Sequence, residues 1–359
     1  MKLAALILTL ATLAFPQKPN SLTPREAADG WLLLFDGQTT FGWTQDGEGR
    51  WRVQDGVLVG EGGNGWLRTN AQFADYLLKC EFRTGGSALP FGVGTQTKVS
   101  GGRWHAYEVS ASNAGFVVTL NGKRIAGGKE APGVVGAIGL AVTDGNKVEF
   151  RSIRLKPLGL TPIFDGKSLT GWRKVERPNT KEPPVWSVQN GAIHVEKGPG
   201  QLETERQWTD FVLQLDIRTN PRDAQHHPNS GVFFRGVPGV FWSGYEAQIR
   251  NEYAENDREK PVDFGTGAIY RNQAARKIVA NDGEFFTMTV VARGRRLCTF
   301  VNGWPVVDWE DPNPEGQDVR KKQAKLTGGV FSLQAHDPTT NLDFKNIRVA
   351  ALPGAETAK

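Results

Sequence analysis

The polar side chains that could do chemistry concentrate in one part of the chain, residues 226–271. Glu246 and Gln248 stand two positions apart in an alternating run, so on a β-strand they share one face. Asn229 and Arg235 flank another apolar run. A sheet face with a carboxyl, an amide and a guanidinium cannot be a dry core unless its charges are paired. The segment therefore predicts a concave, ligand-binding sheet face.

The rest of the chain is organised by an internal repeat. The Phe-Asp-Gly of residues 35–37 recurs at residues 164–166. The pattern Trp-x-Val-Gln-x-Gly of residues 51–56 recurs at residues 186–191. Self-similarity of this kind indicates two copies of one structural unit.

The two copies differ mainly in one place. Their matched Arg-Thr and Asn-Gly markers enclose residues 84–121 in the first copy and the much longer stretch 219–302 in the second. We therefore divide the chain into a first unit, residues 29–158, and a second unit, residues 161–352. The longer stretch holds the polar segment, so we expect the second unit to carry the function.

Both units are predicted to consist of β-strands. Apolar and polar residues alternate in residues 76–82 and again in residues 211–217, the period of a half-buried strand. Asn-Gly pairs at residues 121–122 and 302–303 are the strongest short signal for a hairpin. Many short strands with regular turn signals predict an all-β chain of two tandem β-sandwiches. One short helix is predicted at Thr23, where a capping box begins.

Composition limits the class of protein. The chain has 359 residues, of which 39% are hydrophobic and 23% charged, enough apolar material for packed cores. The net charge of +5 is spread along the chain, so we expect no nucleic-acid partner. Residues 1–17 combine Lys2 with a short apolar run and predict a signal peptide, hence export to the periplasm or the medium. That run is too short to span a membrane, and no other apolar run is long enough.

The chain has two cysteines, Cys80 and Cys298. Cys80 aligns with Leu215 in the middle of an alternating strand, where a thiol acts as a small hydrophobic side chain. We expect two free, buried thiols, one in each unit.

The second unit carries five ordered motifs, which are Phe-Asp-Gly-Lys-x-Leu-x-Gly-Trp, Asn-Ser-Gly-Val-Phe-x-Arg, Gly-Tyr-Glu-x-Gln-Ile, Thr-Gly-Ala-Ile-Tyr and Leu-Gln-x-His. With these motifs it resembles the 3-keto-disaccharide hydrolase family. The resemblance implies a concanavalin A-like (laminin-G-like) jelly roll, and so two tandem concanavalin A-like β-sandwiches. The first unit lacks the second, third and fourth motifs, and we expect it to be a degenerate, non-catalytic jelly roll.

The resemblance also implies a reaction. A ketone at sugar C3 acidifies the proton at C2, a base removes it, and the substituent on C1 leaves by elimination, with water adding back afterwards. We take Glu246 as the base and His336 as its acid/base partner. The remaining expected contacts bind the sugar or stabilise enolate charge: Asn229, Arg235, Trp242, Tyr245, Gln248, Tyr270 and Asp337.

Other interpretations remain open. Glu246 is also a candidate structural partner of Arg235 or Arg250, and His336 a candidate structural histidine. The main alternative function is a non-catalytic carbohydrate-binding tandem module, since a fold does not fix a function. A third is a protein-interaction scaffold. The relative position of Glu246 and His336 separates catalysis from binding: an enzyme needs both at one pocket.

The sequence predicts a carbohydrate partner and no cofactor, and it leaves a divalent metal and the oligomeric state open. His226 and His227 are adjacent, so on a strand or turn they point apart, and we expect a loop tip there. Asp257 and Asp263 are candidate ligands for a calcium-like ion, but no Asp-rich loop surrounds them.

Overall fold

The computed structural model of the chain describes residues 18–85, 99, 101–129, 135–177, 179–316, 318 and 322–353. These residues form 24 β-strands and one short helix, so the chain is all-β with almost no helix. The predicted signal peptide, residues 1–17, lies outside the described residues. Within the described part of the chain, no helix has the length and apolarity needed to cross a membrane.

The helix α1 (Pro24–Ala28) begins where the sequence predicts it. Thr23 caps it, because the Thr23 side chain accepts a hydrogen bond from the backbone of Glu26 while the Glu26 side chain accepts one from the backbone of Thr23. Gly30 follows with a φ of 83°, a conformation that glycine adopts without strain.

Two antiparallel sheets are formed by the first unit. The strands are β1 (Leu32–Leu33), β2 (Trp43–Gly47), β3 (Arg50–Gln54), β4 (Val57–Glu61), β5 (Gly65–Phe73), β6 (Tyr76–Thr84), β7 (His105–Ser112), β8 (Gly115–Leu120), β9 (Lys123–Gly128), β10 (Gly136–Val142) and β11 (Lys147–Pro157). The larger sheet has the order β3-β4-β11-β6-β7-β8-β9, with β1 paired to β11, and the smaller sheet has the order β10-β5-β2.

The second unit also forms a large and a small antiparallel sheet. The strands are β12 (Thr161–Pro162), β13 (Trp172–Glu176), β14 (Val185–Gln189), β15 (Ala192–Glu196), β16 (Gly200–Thr204), β17 (Phe211–Thr219), β18 (Ser230–Gly236), β19 (Tyr245–Ile249), β20 (Phe286–Arg293), β21 (Arg296–Val301), β22 (Trp304–Glu310), β23 (Val330–Ala335) and β24 (Asn341–Ala351). The larger sheet has the order β14-β15-β24-β17-β20-β21-β22, with β12 paired to β24, and the smaller sheet has the order β13-β16-β23-β18-β19.

The strand orders of the two units correspond one to one, apart from β18 and β19 at the edge of the second unit's small sheet. The equivalent stretch of the first unit, between β6 and β7, contains residues 86–98, which lie outside the described residues. The Asn-Gly pairs form hairpin turns as predicted, with φ values of 50° and 78° at Asn121 and Gly122. Within the described residues, the segment that distinguishes the second unit contributes β18 and β19 to its small sheet.

The first unit covers the outer face of the second unit's large sheet. The core of the first unit continues through side chains of β17, β20 and β21, namely Val212, Val291, Cys298 and Phe300. Their neighbours in sequence, such as Leu213 and Leu297, point the other way into the core of the second unit. This sheet is therefore apolar on both faces. Both cysteines are free and buried, which confirms the prediction.

Polar contacts tie the same two units together. Asp36 of the first unit is paired with Arg276 of the second at 2.8 Å, and only 2% of the Asp36 side chain is exposed. The Leu33 backbone N–H donates to the carbonyl of Gly303 at 2.7 Å. A Cβ at Gly303 would lie 2.2 Å from the carbonyl oxygen of Trp31, so this close approach requires glycine. The two units pack as neighbouring parts of one body.

Candidate active site

One face of the second unit's small sheet carries a continuous set of polar side chains. On β19, Glu246 lies opposite Phe233 of β18, and Gln248 lies opposite Gly231. Side chains two positions apart on a strand share a face. Pairing across β23 and β16 extends this polar face with four more side chains, Gln201, Glu203, Ser332 and Gln334.

A cavity of about 410 Å³ lies over this polar face. The predicted site residues that line it are Asn229, Trp242, Tyr245, Glu246, Gln248, Tyr270 and His336. Asp337 does not line the cavity but binds His336 from behind, and Arg235 lies elsewhere. Glu246 and His336 therefore share one pocket, the arrangement that an enzyme needs.

The carboxyl of Glu246 occupies space left by Gly231. A Cβ on Gly231 would lie 2.3 Å from Oε1 of Glu246, so only glycine at this position leaves the carboxyl where it is. Among the described residues, none donates a hydrogen bond to this carboxyl. Burial, together with the negative charge of Asp263, raises the pKa of Glu246 to about 8, with Arg271 acting in the opposite direction. Glu246 is therefore mostly protonated at neutral pH.

Asp263 is a site residue that sequence reasoning considered only as a cation ligand. Its Oδ2 accepts hydrogen bonds from Nδ2 of Asn229 at 3.3 Å and from Nε2 of Gln248 at 3.1 Å. Two amides of the polar face are thus oriented by one carboxylate. Asp263 lies in an irregular segment after β19 with a φ of 48°, and no alternating pattern marks it.

His336 and Asp337 form an imidazole–carboxylate pair. Nδ1 of His336 donates to Oδ2 of Asp337 at 2.8 Å. Although burial raises the pKa of Asp337, hydrogen bonds from Thr339 and His336 hold that pKa below its ordinary value. An ionised Asp337 keeps the Nδ1 proton in place and orients the ring, so that Nε2 is the nitrogen that can exchange a proton with a ligand. Nε2 lies 3.5 Å from Nδ2 of Asn229, on the cavity side.

Trp242 holds the other side of the imidazole. Its ring stacks on that of His336 with centroids 5.6 Å apart and an interplanar angle of 9°. The loop that carries Trp242 is fastened to the polar face, since Gln201 accepts a hydrogen bond from the Trp242 backbone at 2.8 Å and the buried Glu203 accepts one from Gly239 at 3.0 Å. Gln201 and Glu203 thus place Trp242, and Trp242 orients His336.

The structure corrects the expected role of Arg235. Its guanidinium is fully buried and donates hydrogen bonds to the backbone carbonyls of Thr209, Gly294 and Lys325 and to the carboxylate of Asp210. These bonds point it away from the cavity, because Arg235 is at an irregularity of β18 with a φ of 52°. Arg235 makes structural contacts and does not line the cavity.

Tyr245 and Lys325 also line the cavity. The Tyr245 hydroxyl donates to Asp311 at 2.5 Å and accepts from the backbone N–H of Lys325 at 2.9 Å, and its ring packs in the core against Phe234, so Tyr245 is mainly a structural residue of this wall. Lys325 is 8% exposed, and burial lowers its pKa. Sequence reasoning missed Lys325 because it follows an irregular segment with no strand pattern.

The Thr-Gly-Ala-Ile-Tyr motif closes the edge of β19. The Gln248 backbone N–H donates to the carbonyl of Ala268 at 3.0 Å, and the Tyr270 N–H donates to the carbonyl of Glu246 at 2.9 Å. This pairing satisfies the edge strand and brings the Tyr270 side chain to the cavity. Burial, and then the charge of Asp263, raises the pKa of Tyr270.

Three buried polar atoms at the cavity have no hydrogen-bond partner among the described residues. They are Oε1 of Gln248, Oε1 of Gln334 and Nε1 of Trp242. Gln248 and Gln334 are 1% and 2% exposed. Buried polar atoms are normally paired, so two acceptors and one donor here match the hydroxyls of a polar ligand.

No group of three or more His, Cys, Asp or Glu side chains converges on a metal position in the part of the chain that the structure describes. His226 and His227 contact different partners, Thr339 at 3.1 Å and Asp282 at 2.6 Å. The adjacent histidines therefore point apart, as expected.

Several solved structures are similar to parts of the chain. Solved structures similar to it include two proposed glycosyl hydrolases from Parabacteroides distasonis, the first with 20% identity over 54% of this chain and 94% of the other, at a TM-score of 0.42. The second has 23% identity over 55% of this chain and 85% of the other, at a TM-score of 0.41. The carbohydrate-binding module CBM66 from Bacillus subtilis has 16% identity over 51% of this chain and 96% of the other, at a TM-score of 0.35.

No curated protein is a significant relative of the chain. One protein family matches it at residues 30–98 and 159–350, which is well over half of its length and includes all five motifs of the second unit. The chain belongs to the family of 3-keto-alpha-glucoside-1,2-lyase-like domains, the 3-keto-disaccharide hydrolases.

Proposed function

We propose that this protein is a carbohydrate-active enzyme that cleaves 3-keto-glycosides, including 3-keto-disaccharides, by elimination across C1 and C2. The observation that carries the proposal is that Glu246 and His336 line one cavity together with unpaired amide groups. Family membership supports the substrate class. We further propose that the paired sheets form two tandem concanavalin A-like sandwiches and that the protein is exported.

The reaction needs a base for the C2 proton and an acid for the leaving oxygen, both within hydrogen-bond reach. The sequence-based hypothesis takes Glu246 as the base. The pocket favours the reverse, because burial raises the pKa of Glu246 to about 8, whereas Nδ1 of His336 is bonded to Asp337 and Nε2 is the ring nitrogen that lies near the Asn229 amide at 3.5 Å. We propose His336 as the base and Glu246 as the acid.

In the elimination step, Nε2 of His336 takes the C2 proton and the electrons of the C2–H bond pass into an enolate at C3. The enolate then forms the C1=C2 double bond as the C1–O bond breaks. Glu246 gives its proton to the departing oxygen. The products are an alcohol and an enone, and the pocket holds an imidazolium and a carboxylate.

Water addition reverses these roles. Ionised Glu246 removes a proton from water as its oxygen attacks C1, and His336 returns a proton to C2. The free 3-keto sugar is released, and both side chains regain their starting protonation. The Asp337 carboxylate stabilises the imidazolium between the two steps, since it is hydrogen-bonded to Nδ1 at 2.8 Å.

Sugar hydroxyls are the proposed partners of the remaining polar groups. Gln248 and Gln334 offer two buried acceptors, and the indole N–H of Trp242 offers one donor. Each unpaired buried polar group costs roughly 1–3 kcal/mol, so a ligand that satisfies them is favoured. These groups select a polar substrate with several hydroxyls.

The test is incubation of the full chain with a 3-keto-glucoside that carries a chromogenic aglycone. We expect released aglycone and a transient enone absorbance. The same glucoside with a hydroxyl at C3 is the matched control and should stay intact, because its C2 proton is not acidified. Binding of the 3-keto-glycoside without turnover would replace this proposal with the non-catalytic carbohydrate-binding alternative.

A further inference from the structure

A nearly buried lysine that is not part of the polar face also lines the cavity. Lys325 is 8% exposed and lines the same cavity as Glu246 and His336. Its Nζ donates to the carbonyl of Gln323 at 3.2 Å and lies 5.2 Å from the ring centroid of Tyr245. An ammonium has three donors, so it has donors to spare for a ligand.

Side chains from two of the family motifs, Arg235 and Tyr245, form hydrogen bonds with the backbone of Lys325. Nη1 of Arg235 donates to the carbonyl of Lys325 at 2.8 Å, and the N–H of Lys325 donates to the Tyr245 hydroxyl at 2.9 Å. The Tyr245 hydroxyl is itself held by Asp311 at 2.5 Å. The peptide groups on both sides of Lys325 are thus clamped by buried polar side chains, which fixes where its side chain enters the cavity.

Other cations near the site are less suited to stabilise an anion. The donors of Arg235 are bound to backbone carbonyls and Asp210, out of reach of the cavity. Arg271 and Lys322 also line the cavity, but both are exposed, and the Arg271 guanidinium lies 5.4 Å from the ring centroid of Tyr270. Solvent screens an exposed charge much more than a buried one. Lys325 is the buried cation among the described residues that line this cavity.

We propose that the ammonium of Lys325 stabilises the negative charge that develops on the C3 oxygen while the C2 proton leaves. This inference rests on the proposed function, because an enolate forms only if the C2–H bond breaks. A buried, preorganised donor acts strongly on charge that develops in the transition state. Arg235 and Tyr245 are then positioning residues for Lys325.

The first test compares Lys325→Met with the wild type on the 3-keto-glucoside. Loss of one preorganised donor of this kind typically lowers turnover about 10²- to 10³-fold, and we expect kcat to fall by that factor. The thermal midpoint should not fall, since methionine fills similar space and the backbone clamp is unchanged. Lys345→Met is the matched control: that ammonium lies 3.7 Å from the ring centroid of Phe285, away from the cavity, and its loss should leave kcat unchanged.

A second test restores the charge chemically. Lys325→Cys, treated with 2-bromoethylamine, regains an ammonium at nearly the original distance from the backbone. Cys80 and Cys298 are buried in a hydrophobic core, whereas residue 325 lines the cavity, so the native protein should react at the new thiol. We expect the treatment to recover activity at least about tenfold, a fraction of the donor's total effect. Treated wild type should be unaffected.

The outcomes separate this inference from the proposed function. Wild-type turnover together with a fully active Lys325→Met variant, or with a Lys325→Cys variant that alkylation does not rescue, would overturn the role of Lys325 alone. Absence of wild-type turnover would overturn the proposed function, and this inference with it.

Discussion

The ionisation of Glu246 gives the sharpest quantitative prediction. Burial and the neighbouring charge of Asp263 raise its pKa from 4.5 to about 8. If Glu246 is the acid, its protonated fraction falls from about nine-tenths at pH 7 to about one-tenth at pH 9, and kcat/KM should fall about tenfold over that interval. If Glu246 is the base, kcat/KM should rise by a similar factor. The sign of the change therefore decides between the two assignments.

The assay is kcat/KM for aglycone release, measured from about pH 6 to about pH 10. Asp263→Asn is the companion variant, because an amide oxygen can still accept from Asn229 and Gln248 while the negative charge is gone. Removing that charge lowers the pKa of Glu246, so the alkaline decline should begin at lower pH. An unchanged profile in Asp263→Asn, or a rise in the wild type, would refute the reasoning.

The same ionisation affects stability. A carboxyl with a raised pKa binds its proton more tightly in the folded state, so its contribution to stability is complete below about pH 4.5 and is lost as the pH rises to about 8. The Glu246→Gln variant has no ionisable group at this position, so it does not lose stability in this way as the pH rises. Relative to the wild type it should gain roughly 1 kcal/mol of unfolding free energy per pH unit across that interval. Urea denaturation at both ends of the interval measures the difference, and parallel curves for the two proteins would contradict it.

Two further predictions concern the fold around the site. Gly231→Ala should abolish most activity while the protein stays folded, because the new Cβ would lie 2.3 Å from Oε1 of Glu246; circular dichroism and turnover check this, and an active variant would show that the carboxyl position is unimportant. A chain that begins at Thr161 should aggregate, because the outer apolar face of its large sheet loses the first unit. Light scattering tests this, and a monodisperse, stable second unit would contradict it.

The sequence was most informative where local rules dominate. Asn-Gly pairs adopt positive φ at little cost, so the turns at residues 121–122 and 302–303 could be placed from two letters. Alternation gave the strands, and the two-residue spacing of Glu246 and Gln248 put both on the polar face. The helix cap at Thr23 followed from the same kind of local chemistry.

Long-range contacts could not be predicted in this way. Arg235 stands in a motif beside site residues, yet its irregular backbone turns the guanidinium inward to three carbonyls. Lys325 reaches the site through bonds to Arg235 and Tyr245, 80 or more residues earlier in the chain, and no local pattern records such a contact. Asp263 is similar, because its role depends on the amides of Asn229, immediately before β18, and of Gln248 on β19.

The short connection between the units favours contact between them, but the faces that meet could not be identified from the sequence. Val291 and Cys298 lie on strands whose two faces are both apolar, and a sequence cannot say which apolar face meets its own unit and which meets another. The prediction that the second unit carries the function therefore said nothing about this covered face.

The central claim is that the C1–O bond breaks only after, or together with, loss of the C2 proton. A competitive kinetic isotope effect on kcat/KM, with 3-keto-glucoside deuterated at C2, tests it most directly. If the C2 proton is removed as proposed, we expect a primary isotope effect on aglycone release. Deuterium should also be lost from C2 when the reaction runs in ordinary water. Equal rates for the two substrates, with deuterium retained at C2 in the product, would show that the bond to the aglycone breaks by another route.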